Sequence, residues 1–275
     1  MRFDELDLED EILDGLEDMN FHEMTPVQEH TIPVILEGRD IIGCAQTGTG
    51  KTAAYTLPLL NKLLIEGNPD NVVKSLIIVP TRELAQQIDQ QFQGFSYYAP
   101  LSTTVVYGGG DGKGWDIQKN GMLNGADVVI ATPGRMIAHL QNSGVDLSHV
   151  EYLILDEADR MLDMGFSDDI MKIISYMPAE RQTIMFSATL PPKIRELAKT
   201  ILRNPTKPST SRPTSATSVR NWASSASCSP SRPTRRRSSS RRRNSRSRSW
   251  PIHSSAWDST LRPCTPTWSR RSARR

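Results

Sequence analysis

Six short apolar runs, each ending in a polar or glycine-containing turn, govern what this chain can fold into. They occupy 40–44, 75–79, 103–107, 127–131, 152–155 and 183–186, and each is rich in Ile, Val or Leu. Brief runs of that kind are what strands buried on both faces require. Between them lie longer segments with helical spacing, among them 50–65, 82–92 and 135–141. Strand then helix, repeated, predicts an α/β fold built on a doubly wound parallel sheet.

The residues with chemical potential cluster just after these runs. Thr47 to Thr52 follow the first and Pro80-Thr81-Arg82-Glu83 the second. Gly108-Gly109, Thr132-Pro133-Gly134-Arg135, Asp156-Glu157 and Ser187-Ala188-Thr189 follow the remaining four. Ligands of open parallel sheets bind beyond the carboxyl ends of the strands. All six segments are therefore expected on one edge of one sheet.

Ala45-Gln46-Thr47-Gly48-Thr49-Gly50-Lys51-Thr52 fits a phosphate-binding loop, with Ala45 in the place of the first glycine of GxxxxGK[ST]. Residues Gln46, Thr47, Gly48, Thr49 and Gly50 would wrap the phosphates with backbone N–H groups, which the two glycines free from Cβ clashes. The helix that follows adds its positive end. Lys51 would place a point charge on the β- and γ-phosphates, and Thr52 a hydroxyl on Mg²⁺. The bland alternative is a strand-to-helix turn that happens to contain glycine. Leu153-Ile154-Leu155-Asp156-Glu157 ends an apolar run in two carboxylates. Asp156 would hold Mg²⁺ and Glu157 would orient and deprotonate the attacking water. On its own such a pair is a solvated loop; beside a phosphate loop it completes a hydrolytic site.

Asp156-Glu157-Ala158-Asp159 spells the signature of the DEAD-box RNA helicases, and the chain resembles that family (bacterial RhlE-like type) over about residues 3–205. Phe3, Phe21 and Thr25-Pro26-Val27-Gln28 resemble the family's upstream aromatic and Q motif. The segments Pro80-Thr81-Arg82-Glu83-Leu84-Ala85, Gly108-Gly109, Thr132-Pro133-Gly134-Arg135 and Ser187-Ala188-Thr189 match its other first-domain motifs in order. The resemblance implies a RecA-like P-loop NTPase domain that uses ATP and Mg²⁺. It implies that Phe21 stacks on adenine while Thr25 and Gln28 help to bind it, Gln28 reading its edge. Arg82, Gly109, Thr132 and Arg135 are implied to lie along an RNA backbone, single-stranded or from a duplex, which positions a strand without reading its sequence. Ser187 and Thr189 are implied to hydrogen-bond toward Asp159, coupling hydrolysis to RNA. Arg135 could instead be a surface charge at a helix end and Thr132 a plain N-cap. Asn20 stands where the family usually has glycine; Asn tolerates positive φ, so little should change.

Charge divides the chain. Residues 206–275 hold 17 Lys and Arg against one acid, Asp258, which leaves 16 basic and 30 acidic residues in 1–205. The same segment has 20 Ser and 16 Arg, and it lacks Phe, Tyr and Met. Such a composition cannot bury enough apolar surface to fold, and it predicts disorder. It also lacks the strand–helix pattern and the arginine-rich motif of the family's second domain. Three origins stand open: translation in a shifted frame, a basic tail that tethers RNA, or a natural one-domain protein. Cys44, Cys228 and Cys264 have no CxxC spacing and the five histidines form no metal motif, so neither a zinc site nor a disulfide framework is expected. The acidic N-terminus lacks a leader pattern, no run approaches membrane-spanning length, and a cytoplasmic protein with no membrane partner is expected.

Two functions from different classes remain. One is an ATP-dependent RNA helicase represented by its first domain. The other is an RNA- and nucleotide-binding fragment with a basic tail and little or no hydrolysis. A DNA-directed P-loop motor is disfavoured by the Gln28 segment and the Asp156-Glu157-Ala158-Asp159 signature.

Overall fold

A computed structural model describes residues 1–46, 48–109 and 112–206. Thr47 and the Ser/Arg-rich segment from 207 onward lie outside the described residues, and with them the expectation of tail disorder. Six strands form one parallel sheet: β1 (Ile41–Cys44), β2 (Ser75–Ile78), β3 (Thr103–Val106), β4 (Val128–Ala131), β5 (Tyr152–Leu155) and β6 (Gln182–Ser187). Their order across the sheet is β1-β6-β5-β2-β4-β3. Each coincides with one of the six apolar runs.

The helices are α1 (Asp10–Asp18), α2 (Pro26–Leu36), α3 (Lys51–Glu66), α4 (Arg82–Phe95), α5 (Gly112–Leu123), α6 (Pro133–Asn142), α7 (Ala158–Asp163), α8 (Ser167–Ile174) and α9 (Pro192–Ile201). The strand period of two sorts side chains onto the two faces. Ile77, Val79, Ile130, Ile154 and Ile184 join the helical residues Ile12, Ile32, Leu57 and Phe92 in one core. Leu76, Ile78, Val129, Leu153 and Met185 join Met136, Ile170, Ile173 and Ile194 in the other. Both faces are covered, which is why the runs carry no polar alternation. Helix α6 begins two residues earlier than its spacing suggests, because Pro133 sits at N1, where its fixed φ suits a helix start and no N–H is missed. No helix among the described residues is long and apolar enough to cross a membrane.

Loops are tied to the sheet by buried polar anchors. Asp40, just ahead of β1, accepts the Thr183 N–H at 2.8 Å and the Arg203 N–H at 2.6 Å. Thr206 then pairs with the start of β1, donating to the Asp40 carbonyl at 2.9 Å and accepting from Ile42 N–H at 3.2 Å. At the other side of the sheet, Asn68 donates to Asp127 Oδ1 (3.0 Å) and to the Val72 carbonyl (2.8 Å). The turn into β4 there has Gly125 at φ 77°, and a Cβ on it would lie 1.7 Å from the Asn71 carbonyl oxygen. Gly125→Ala is expected to cost about 2–4 kcal/mol, combining left-handed strain with a backbone clash. The urea midpoint of the full chain measures it; an unchanged midpoint would mean the turn can rebuild.

Candidate nucleotide and RNA site

The parallel ladder sets the phosphate loop beside the two carboxylates. The loop leaves β1 and is fastened to β6 by Ala45 N–H donating to the Ser187 carbonyl at 3.1 Å. Gly50, at φ 84°, is the N-cap of α3, a backbone that a side chain would strain. It is also crowded: a Cβ there would lie 2.6 Å from Gln28 Nε2 and 3.2 Å from Thr25 Oγ1. Lys51 opens α3; its side chain is 93% buried, and its ammonium stands 3.7 Å from Asp156 Oδ1. Lys51 Nζ has no hydrogen-bond partner among the described residues. A buried ammonium with open donors is costly, and an anion is the group that would satisfy it. Thr52 follows on the same helix turn and is half-buried.

Asp156 ends β5 and is nearly fully buried. Burial pushes its carboxyl up from the usual range, while the Lys51 charge and the Tyr55 hydrogen bond pull it back. Tyr55 lies one turn after Lys51 on α3, fully buried, and donates to Asp156 Oδ2 at 3.0 Å. Its own phenol is driven well above the ordinary value by burial and then by Asp156, so it remains a donor. The sequence reading missed Tyr55. Its i+4 spacing from Lys51 was the available signal, since that places both on one helix face. Asp156 and Thr52 could offer Mg²⁺ one carboxylate and one hydroxyl oxygen, a set that suits an ion which takes few protein carboxylates.

Glu157 follows in the left-handed region, at φ 51° and ψ 48°. That conformation turns the chain abruptly from β5 into α7 and is unusual for a residue with a side chain. Its carboxylate pairs with Arg160 at 3.2 Å. Asp159 accepts from both the Thr189 N–H and hydroxyl, each at 2.9 Å. Ser187 Oγ donates to the Thr189 carbonyl at 2.6 Å. Partial burial works against ionising Asp159, but the Thr189, Arg160 and Ser187 hydrogen bonds outweigh it and hold its carboxyl low. The tie between the loop after β6 and α7 is therefore complete at neutral pH and is lost only as the pH falls through that lowered value.

The residues implied to face adenine are placed differently. Gln28 is buried, accepts from the Thr25 N–H at 2.8 Å and donates to the Gly50 carbonyl at 3.1 Å. Its amide thus links the start of α2 to the phosphate loop, and reading a base edge would mean giving up the Gly50 contact. Phe21 packs edge-on against Phe95, with ring centres 5.2 Å apart, and beside Phe3 at 6.5 Å. It lines a cleft of about 450 Å³ with Asn20, His22 and Glu23. Asn20 has φ 58°, the conformation expected of a residue replacing glycine. Thr25, Gln46 and Thr49 line a second cleft, of about 580 Å³, together with Cys44, Ala45 and Ala188.

The four backbone-contact candidates follow β2, β3 and β4, on the other half of the same sheet edge. Arg82 is exposed and its terminal nitrogen would lie 3.7 Å from a Cβ on Gly109, which has φ 91°. Thr132 occupies the N-cap of α6 but makes no capping hydrogen bond with its side chain. Arg135 stands at the third position of α6 with Nε donating to Gln118 Oε1 at 2.9 Å.

This strand order, with a phosphate loop after the first strand and paired carboxylates after β5, defines an α/β domain of the RecA-like class. The family model of the DEAD/DEAH box helicases matches residues 25–197, and the chain belongs to that family. A relative named ATP-dependent RNA helicase CshA, from Listeria monocytogenes, is 45% identical over 204 residues, covering 74% of this chain and 38% of its own length. One from Mycobacterium tuberculosis, named ATP-dependent RNA helicase DeaD, is 43% identical, with 74% and 35% covered. The crystal structure of a DEAD box protein from Methanococcus jannaschii superposes with a TM-score of 0.70 at 35% identity, covering 75% of this chain and 55% of that one. The chain thus spans well under half the length of these two curated relatives.

Tyr55→Phe is expected to cost about 1–3 kcal/mol, since it deprives a buried carboxylate of a donor. Urea unfolding with and without Mg²⁺ and ADP measures it. A neutral effect would mean water replaces the phenol.

Proposed function

We propose that this chain is the nucleotide-binding domain of an ATP-dependent RNA helicase. The single observation that carries the reading is the buried Lys51 ammonium, open to hydrogen bonding at the start of α3 and facing Asp156. In this reading the ATP phosphates lie on the loop 46–52, and Lys51 satisfies its donors on the β- and γ-phosphates. Thr52 and Asp156 would hold Mg²⁺, which would supply positive charge against the γ-phosphoryl group. Glu157 holds the attacking water and takes its proton as the phosphorus–oxygen bond to the β-phosphate breaks and ADP and phosphate leave. Phe21 and Gln28 select adenine, acting as a Q motif. Arg82, Gly109, Thr132 and Arg135 hold the RNA backbone, and the Asp159–Thr189 tie, between the loops after β5 and β6, links the hydrolysis site to RNA binding.

Hydrolysis by the whole protein, local duplex unwinding, a second domain that supplies arginines to the γ-phosphate and a cytoplasmic location belong to the same proposal. They are supported by the relatives' names and by the motifs of 1–205. Thr206 pairs with the start of β1, and the basic segment 207–275 is assigned no part of the nucleotide site. A second reading, nucleotide and RNA binding with little hydrolysis, has one observation in its favour: Glu157 is engaged by Arg160.

Lys51→Ala is expected to weaken binding of a fluorescent ADP analogue by about tenfold or more. Glu157→Gln should leave that affinity within about twofold and abolish RNA-stimulated phosphate release. Normal binding in the first variant would sink the site assignment. Equal phosphate release in wild type and Glu157→Gln would favour the second reading.

A further inference from the structure

The two arginines assigned to the RNA backbone share an arrangement that their assignment does not explain. Neither forms an ion pair with a carboxylate among the described residues, although Arg2, Arg39 and Arg160 all do. Each instead lies over an aromatic ring. The Arg82 guanidinium carbon is 5.3 Å from the centre of the Tyr107 ring, and that of Arg135 is 4.4 Å from the centre of the Trp115 ring. Both distances fall within the range where a cation is drawn to a ring face.

The Trp115 setting is the more constrained. Its indole stacks on the His139 imidazole, with ring centres 3.8 Å apart and planes 18° from parallel. His139 lies one turn after Arg135 on α6, so one ring meets both. Gln118, one turn after Trp115 on α5, completes the enclosure. Its Oε1 accepts from Arg135 Nε at 2.9 Å and lies 3.1 Å from His139 Nε2, and its Nε2 donates to the Tyr107 carbonyl at 3.1 Å. Because that oxygen can only accept, His139 carries its proton on Nε2, and Nδ1 accepts from the Ser143 hydroxyl at 3.0 Å. Burial, then the Arg135 and Lys119 charges, lower the His139 pKa to about 4, so it is neutral at neutral pH.

We propose that Trp115 is a positioning residue for RNA binding: with Gln118 it fixes the Arg135 guanidinium through its ring face and Nε, leaving its charge unneutralised for a phosphate. The proposal rests on the reading of Arg135 as a backbone contact. The physical argument concerns competition. A carboxylate would hold the guanidinium as firmly, but every incoming phosphate would have to displace it. A ring orients the planar group without consuming its terminal donors. In a domain with 30 acidic residues in its first 205, that choice of partner matters. The sequence offers Trp115 as a lone aromatic in a polar, glycine-containing stretch and gives no sign of its partner.

The test is a titration of the full-length chain with a fluorescent oligouridylate at fixed salt. Trp115→Met keeps bulk and apolar cover but removes the ring, and Trp115→Leu repeats the test with a second side chain. Trp115→Phe restores a ring. Binding of the fluorescent ADP analogue reports that each variant is folded. Trp115→Met and Trp115→Leu should weaken RNA binding by about three- to tenfold, Trp115→Phe should recover most of it, and Trp115→Met should add nothing to Arg135→Gln. If Arg135→Gln weakens binding and Trp115→Met does not, Trp115 has no positioning role. The same follows if Trp115→Met weakens binding equally in the Arg135→Gln background. If Arg135→Gln itself leaves binding unchanged, the assignment of the RNA face fails and this inference with it.

Discussion

Everything on the ligand-binding edge depends on the parallel pairing of β5 with β6 on one side and β2 on the other. Parallel strands deliver all their carboxyl ends to one edge, and the order across the sheet then decides which loops are neighbours. Strands β1, β6 and β5 bring together the phosphate loop, the Ser187–Thr189 turn and the two carboxylates. Strands β2, β4 and β3 bring together Arg82, Thr132, Arg135 and Gly109. The proposed nucleotide and RNA sectors are thus neighbours on one ladder, joined at the β5–β2 pair. Any shift of α7 against the loop after β6 is felt through Asp159, whose hydrogen bonds to Thr189 cross between the elements.

Within the nucleotide half, burial sharpens the electrostatics. Asp156 and Lys51 are both withdrawn from water, yet their charged atoms stand 3.7 Å apart, longer than a direct hydrogen-bonded pair. Tyr55 takes one carboxylate oxygen, and the Glu157 N–H takes the other at 2.8 Å. Asp156 is therefore fixed in place, while the ammonium keeps donors to spare. Two buried charges held near each other but incompletely paired are a poor source of stability and a good receptor for a polyanion with its counter-ion.

Much of this was legible in the sequence because the signals were local. Each of the six strands coincided with an apolar run whose length and composition follow from burial on both faces. The glycine-containing turn after β1 and the two carboxylates after β5 stand where residue types at fixed spacing put them, and the family resemblance allowed for the positive φ of Asn20. What escaped was set by contacts distant in sequence. Tyr55 reads as an ordinary core residue of α3 until β5 brings Asp156 to it across the sheet. Trp115 and His139 lie on different helices, and only their packing shows that Arg135 has a ring for a partner. The resemblance implies a base-edge role for Gln28, and the sequence gives no sign that both ends of its amide are engaged by Thr25 and Gly50.

Glu157 carries a consequence for how this domain can change over time. A left-handed backbone at a residue with a side chain costs on the order of 1–2 kcal/mol, a cost that glycine would escape. Selection for thermal robustness alone would favour glycine at this turn, and it would discard the carboxylate to which the proposed reaction assigns the water's proton. If Glu157 acts as proposed, position 157 is one where stability and chemistry demand different amino acids. Substitutions that strengthen the domain are better sought in the two cores, where the same conflict does not arise.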